Sequence, residues 1–201
     1  ATGDGRYVDF SSPTPTENDL SGAERWPAER TLAADRIAWL VTDREAIACV
    51  THRGIGIKGA KIVGRIDLQA ANFEFGLYFD RCSLPAGINL LAAEIHSLNL
   101  SGCLTGRITA DGMQVEAGVF FRAGCTIQGR VRLLGAKIGG NLDCQGGIFL
   151  GTEGEALGAD GIEVGGSVLL NHGFRAVGAV RLLGAKIGGN LDCEQGRFDN
   201  P

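Results

Sequence analysis

Proline, aromatic side chains and basic charge are all scarce in this chain, and each scarcity excludes something. Five prolines are too few for a collagen-like or polyproline rod, and the 32 glycines follow no Gly-X-Y triplet. Nineteen Lys and Arg against 23 Asp and Glu give a formal net charge of −4, with an isoelectric point near 5.4. That leaves no basic field for a phosphate backbone, so nucleic acid is not expected as a direct partner. No apolar run approaches the ~18 residues of a membrane span, and the N-terminus lacks the basic-then-apolar order of a signal peptide. A cytoplasmic location is expected, with membrane association only if a segment outside this chain supplies an anchor. The chain starts at Ala1 rather than Met, as a processed or trimmed product would. No Cys-x2-Cys or Cys-x2-His pair offers zinc spacing. What is present forms a core: 44% of residues are hydrophobic and 21% charged, a balance that excludes a disordered chain.

The second feature present is repetition. The phrase Val131 to Cys144 recurs letter for letter at Val180 to Cys193, an offset of 49 residues. Fainter copies reduce to an eleven-residue unit, φ-x-φ-x-G-A-x-φ-x-G-x, with φ apolar. Thirteen copies start at Ile55, Ile66, Leu77, Ile88, Leu98, Ile108, Val119, Val131, Leu142, Leu157, Val168, Val180 and Leu191. Spacings stay between 10 and 12 residues except one of 15, which places an insertion of about four residues near Leu150–Gly154, a Gly-rich stretch expected to bulge out as a surface loop. Alternation with period two on either side of the first glycine predicts two short strands per unit, joined at glycine corners where φ > 0 is needed. A fixed period of this kind marks a solenoid whose units bury their apolar faces only by stacking.

Cysteines set the number of units per coil. Cys82, Cys103, Cys125, Cys144 and Cys193 all fall in odd-numbered units, which predicts two units, about 22 residues, per coil, with like residues stacked at the ~4.8 Å strand spacing. The outward series Glu94, Gln114, Lys137, Glu163, Lys186 on the even units then becomes a ladder that sets opposite charges one strand apart. About six coils give a rod near 30 Å long.

The A-x-φ spacing, the small inward residues and the square corners resemble the pentapeptide-repeat family of right-handed quadrilateral β-helices over roughly Ile55 to Phe198. Arg132–Cys144 and Arg181–Cys193, preceded by the R-T-L-x-A-x-x-I-x-W-L pattern of Arg30–Leu40, are more closely similar to a group of uncharacterised bacterial repeat proteins. Some of those are labelled membrane-associated oxidoreductases, and longer ones carry a membrane segment beyond the repeats. The expected fold is therefore all-β: a right-handed quadrilateral parallel β-helix with an N-terminal capping α-helix. Residues 1–27 are expected to be an extended segment, 28–45 the capping helix and 46–201 the repeat domain. Leu32, Ile37, Leu40 and Val41 lie on one helical face, as a cap over the open first coil requires.

No residue is assigned to catalysis, to a cofactor or to a metal. His52, His96 and His172 are scattered without a nucleophile at fixed spacing. Asp67, Asp143 and Asp192 point outward, and Asp143 and Asp192 stand two coils apart. The Gly-Gly pairs at 139–140, 165–166 and 188–189 lack the strand-loop-helix context of a phosphate site and read as corners. Arg132 and Arg181 read as a solvated face. Two features point to contact with another molecule. The outward column Tyr78, Asn99, Phe120, Asp143, Leu169, Asp192 carries large apolar residues at Tyr78, Phe120 and Leu169, to be covered either by the N-terminal tail or by a partner. The repeat also stops at Pro201 in mid-pattern, so the last coil, with Leu191 and Phe198, is expected either to meet another molecule or to continue in a longer chain. The function expected is a noncatalytic structural or protein-interaction rod, meeting a protein partner or associating with itself through its C-terminal end. The alternatives are an enzyme, either a β-helical carbohydrate-active protein or the oxidoreductase of the family label, and, with less support, a DNA mimic.

Overall fold

A computed structural model describes residues 7–200, apart from the side chains of residues 152 and 153. The chain forms a parallel β-solenoid of two twelve-stranded sheets, whose complete coils lie between Ile55 and Asp199. Long strands such as Asn72–Asp80, Glu94–Ser101 and Arg175–Arg181 each run round a corner, so the two sheets make four sides. The thirteen unit starts fall into two columns. Ile55, Leu77, Leu98, Val119, Leu142, Val168 and Leu191 are successive partners on one side. Ile66, Ile88, Ile108, Val131, Leu157 and Val180 are successive partners on another. Two units therefore make one coil, and the apolar first position of every unit points inward, because strand side chains alternate and only one face of each strand meets the core. All of these residues are fully buried except those at the two ends, Ile55, Val180 and Leu191.

The N-terminal segment departs from expectation. It holds strand β1 (Val8–Asp9), short 3-10 turns between Pro15 and Arg30, and strand β2 (Thr31–Ala33). β1 pairs with β3 (Ile55–Lys58), and β2 pairs with β4 (Lys61–Val63), both parallel. The segment is thus a partial coil laid on the first complete one, and it gives the free backbone edge the partners it would otherwise lack. Arg30, 6% exposed, ties it down. Its Nε and Nη2 donate to the Gly59 carbonyl at 3.1 and 2.9 Å, its Nη1 donates to the Glu17 carbonyl at 2.8 Å, and its guanidinium lies 3.5 Å over the Trp26 ring.

The capping helix exists but is shorter than 28–45. Helix α1 spans Ala34–Thr42 and a single turn, α2, spans Arg44–Ile47. Residues 31–33 are held as strand by their pairing with β4, so the helix begins only where that pairing ends. Ala34, Ile37 and Val41 are buried against the core, Leu40 is half-buried and Trp39 faces outward at 50% exposure. No helix among the described residues is long and apolar enough to cross a membrane.

The 15-residue spacing marks four extra residues that interrupt the ladder as a bulge within Ile148–Gly158: between Leu150 and Leu157 that strand advances seven residues while its neighbour advances three, from Val177 to Val180. The bulge delivers Glu155 to Arg130, with N–O distances of 2.8–2.9 Å. Gly158 lacks the Cβ that would occupy the place of the Glu155 carboxylate.

Candidate interaction surface

Tyr78, Asn99, Phe120, Asp143, Leu169 and Asp192 are partners on successive coils, as an outward side column requires. Its apolar members are half-buried, and the described part of the tail pairs only at the first coil edge. Two glycines explain the half-burial of the rings. The Tyr78 ring fills the space over Gly76 and the Phe120 ring that over Gly118, each two residues back on the same face, so the rings lie flat along the wall. Tyr78 Oη also accepts from Ser97 Oγ at 3.0 Å, and Arg122 covers Phe120 at 4.6 Å. Asp143, expected in solvent, is 6% exposed, with Arg122 at 3.5 Å and the Gln145 N–H donating to it at 3.1 Å. Its neighbours Phe120 and Leu169 exclude water from it. Leu169 alternates with the two aspartates rather than joining the aromatics into one patch.

Leu191 and Phe198 belong to a different surface, the last coil. Leu191 ends its inward column at 51% exposure. Phe198 ends a row of rings, Phe121, Phe149, Phe174, Phe198, with centroids 5.8, 5.1 and 5.6 Å apart. The first three are fully buried and Phe198 is 43% exposed. Leu183, at 65%, stands on another corner of the same coil, a residue that periodicity alone does not single out. The exposed apolar residues at the other end, Val8, Val63 and Trp39, are spread over β1, β4 and α1.

Among the described residues no group of three or more His, Cys, Asp or Glu could hold a metal ion. Cys82, Cys103 and Cys125 form one inward column, flanking strands whose partners are Ser83, Leu104 and Thr126. The Cys82 and Cys103 thiols donate to the carbonyls of Ile57 and Phe79 at 3.4 Å. Burial pushes the Cys125 thiol up to about 12, and Cys103 and Cys144 rise for the same reason. Cys193, expected inward with the others, is exposed because no described coil lies over it. Cys49 is exposed beside an apolar cleft of about 670 Å³ between cap and first coil, lined by Val8, Leu32, Leu40 and Val50. His96 meets Glu116 at 2.9 Å. The ladder from Glu94 to Lys186 is in register and ends in a Lys186–Glu163 pair of 2.7 Å, whose contact lowers the Glu163 carboxyl and raises the Lys186 ammonium.

Arg132 and Arg181 are not merely a solvated face. Arg132 closes on Asp111 and Arg181 on Asp160, each pair spanning one coil. The Gly-Gly corners also have a reason other than positive φ. At Gly139, Gly165 and Gly188 φ is not in the left-handed region; a Cβ there would strike the carbonyl oxygen of the coil beneath, that of Glu116, Gly139 or Gly165 respectively. Set against models of protein families, curated proteins and solved structures, the chain matches none of them.

Proposed function

We propose that this chain is a noncatalytic structural or protein-interaction module, a β-solenoid rod that meets a protein partner, its own kind included, through the end formed by its last coil. What supports this is the asymmetry of the ends. The first coil is closed by β1, β2 and α1, with Arg30 holding the closure from within, whereas the last coil leaves Leu191 and Phe198 half in water and one backbone edge with no partner among the described residues. Unpaired edges and open core at a solenoid end are what capping elements otherwise cover. The side column is a weaker surface, since its rings already rest on glycines and its two carboxylates already have partners in Arg122 and Asn171. The test is amide hydrogen exchange at low and high protein concentration. Protection gained with concentration across 180–199 supports contact through the end. Protection gained instead across 119–122 assigns the contact to the side column and overturns the proposal.

A further inference from the structure

The strand Arg197–Asp199 is the last on its side of the rod among the described residues. It pairs in parallel with residues 175–177, and no described strand lies along its other edge. The Arg197 N–H donates to the Phe174 carbonyl at 2.8 Å. In a parallel ladder the main-chain groups of successive residues point to opposite edges. Those of Arg197 and Asp199 are therefore directed into the rod, and the N–H and C=O of Phe198 are directed out of its end.

A further coil of the same hand would pair here in parallel. A second copy brought tail to tail by a two-fold axis pairs antiparallel, because the axis reverses the sense in which its coils run. We propose that the occupant of this edge is a second copy of the chain, with the two-fold axis at Phe198; this rests on the end being the contact surface. In that register Phe198 faces Phe198 of the second copy. The two residues exchange N–H···O=C bonds as a hydrogen-bonded antiparallel pair, and the row of rings from Phe121 continues across the axis. Arg197 then faces Asp199 of the second copy, and Asp199 faces its Arg197. The tripeptide Arg-Phe-Asp is thus charge-complementary to itself under this operation. Arg197, whose side chain is 70% exposed, already reaches its own Asp199 at 2.9 Å through Nε, which leaves its terminal nitrogens for the carboxylate across the axis.

Charge reversal tests the register. R197D sets the new carboxylate against that of Asp199 across the axis, and D199R sets the new guanidinium against that of Arg197, so each variant alone should repel its own copy. Mixed together, the two variants present opposite charges at both crossings. Light scattering should give wild type a mass of twice 21.0 kDa, each variant the monomer mass, and the equimolar mixture the doubled mass again. The double variant R197D/D199R should also recover the dimer. Circular dichroism on each variant checks the fold, which matters for D199R because Asp199 also accepts from Arg175 at 3.2 Å. A monomeric wild type, single variants that dimerise like wild type, or a mixture that stays monomeric beside a dimeric wild type would each overturn the proposal. In the last two cases, concentration-dependent protection of 180–199 would leave the end as the contact surface with a different register.

Discussion

The Arg132 guanidinium closes on the Asp111 carboxylate of the preceding coil, and the other oxygen of Asp111 accepts the Leu134 N–H at 3.1 Å. The same clamp recurs 49 residues on, where Arg181 meets Asp160 at 2.7 and 3.2 Å and the Leu183 N–H donates to Asp160 at 3.0 Å. The repeated Arg-Leu-Leu phrase is thus half of a motif whose other half lies one coil earlier. Asp111→Ala should cost more than Arg132→Ala, since it removes the ion pair and also strips the Leu134 N–H of its acceptor, the latter worth about 1 kcal/mol. The pair is part-exposed, at 35% and 18%, so the coupling in a double-mutant cycle should be no more than about 1 kcal/mol and should shrink with added salt. Urea denaturation of the four proteins measures both.

Gly165→Ala should destabilise the rod by about 2 kcal/mol or more, since the new methyl meets the backbone oxygen of Gly139 rather than a movable side chain. At Gly173 nothing stands near an added Cβ, but φ is +88°, so an alanine there strains the backbone without a collision and should cost less. Thermal melts that rank Gly173→Ala as the more damaging would show that coil-to-coil approach is not what requires glycine at the paired corners.

Thiol titration should divide the six cysteines into two groups. Cys49 and Cys193 are exposed, and Cys82, Cys103, Cys125 and Cys144 are buried. Burial also raises the Cys103, Cys125 and Cys144 thiols, so they stay protonated at neutral pH. A colorimetric thiol reagent should count two groups in the native protein and six after unfolding. More than two fast groups in the folded protein would contradict the inward column.

Acid should release β1 before the rest. Burial alone would raise the Asp9 carboxyl, but Lys58 at 2.9 Å and the bonds from Ser11 outweigh it and hold the group at about 2. The folded value lies below the ordinary Asp range near 3.9, so its stabilisation is fully present above about pH 4 and is lost as pH falls toward 2. Exchange of the Phe10 amide, which donates to the Lys58 carbonyl at 2.8 Å, should accelerate over that window relative to amides of the central coils. Asp9→Asn should abolish the pH dependence.

The columns of the rod are legible in the sequence because every coil repeats the same local pattern. Ile66 and Ile88 meet for the same reason that Ile88 and Ile108 do, and the odd-unit placement of the cysteines suffices to count two units per coil. The same logic places Glu94, Gln114, Lys137, Glu163 and Lys186 in one ladder. What escapes it are contacts made by residues at variable positions of the unit or outside the repeat. Asp111 and Asp160 both hold the fourth position of their units, which the repeat leaves variable, and their 49-residue separation matches that of the two phrases and links them. Arg30 falls within the stretch expected as helix, yet its burial depends on carbonyls at Glu17 and Gly59, thirteen residues before it and twenty-nine after.

Sequence by itself determined the coil length, the inward and outward faces and the stacking register, since a period of two within strands and about 22 between coils leaves one arrangement that buries the apolar set. Tertiary structure alone decided where that order stops. Residues 31–33 are strand because β4 offers them an edge, and the four extra residues before Leu157 bring Glu155 to Arg130. Asp143 is dry because Phe120 and Leu169 flank it, and Leu191 and Phe198 are wet because no described strand follows them. Burial and pairing at such places depend on what the neighbouring coil presents, and that neighbour is supplied by folding, not by the adjacent residues.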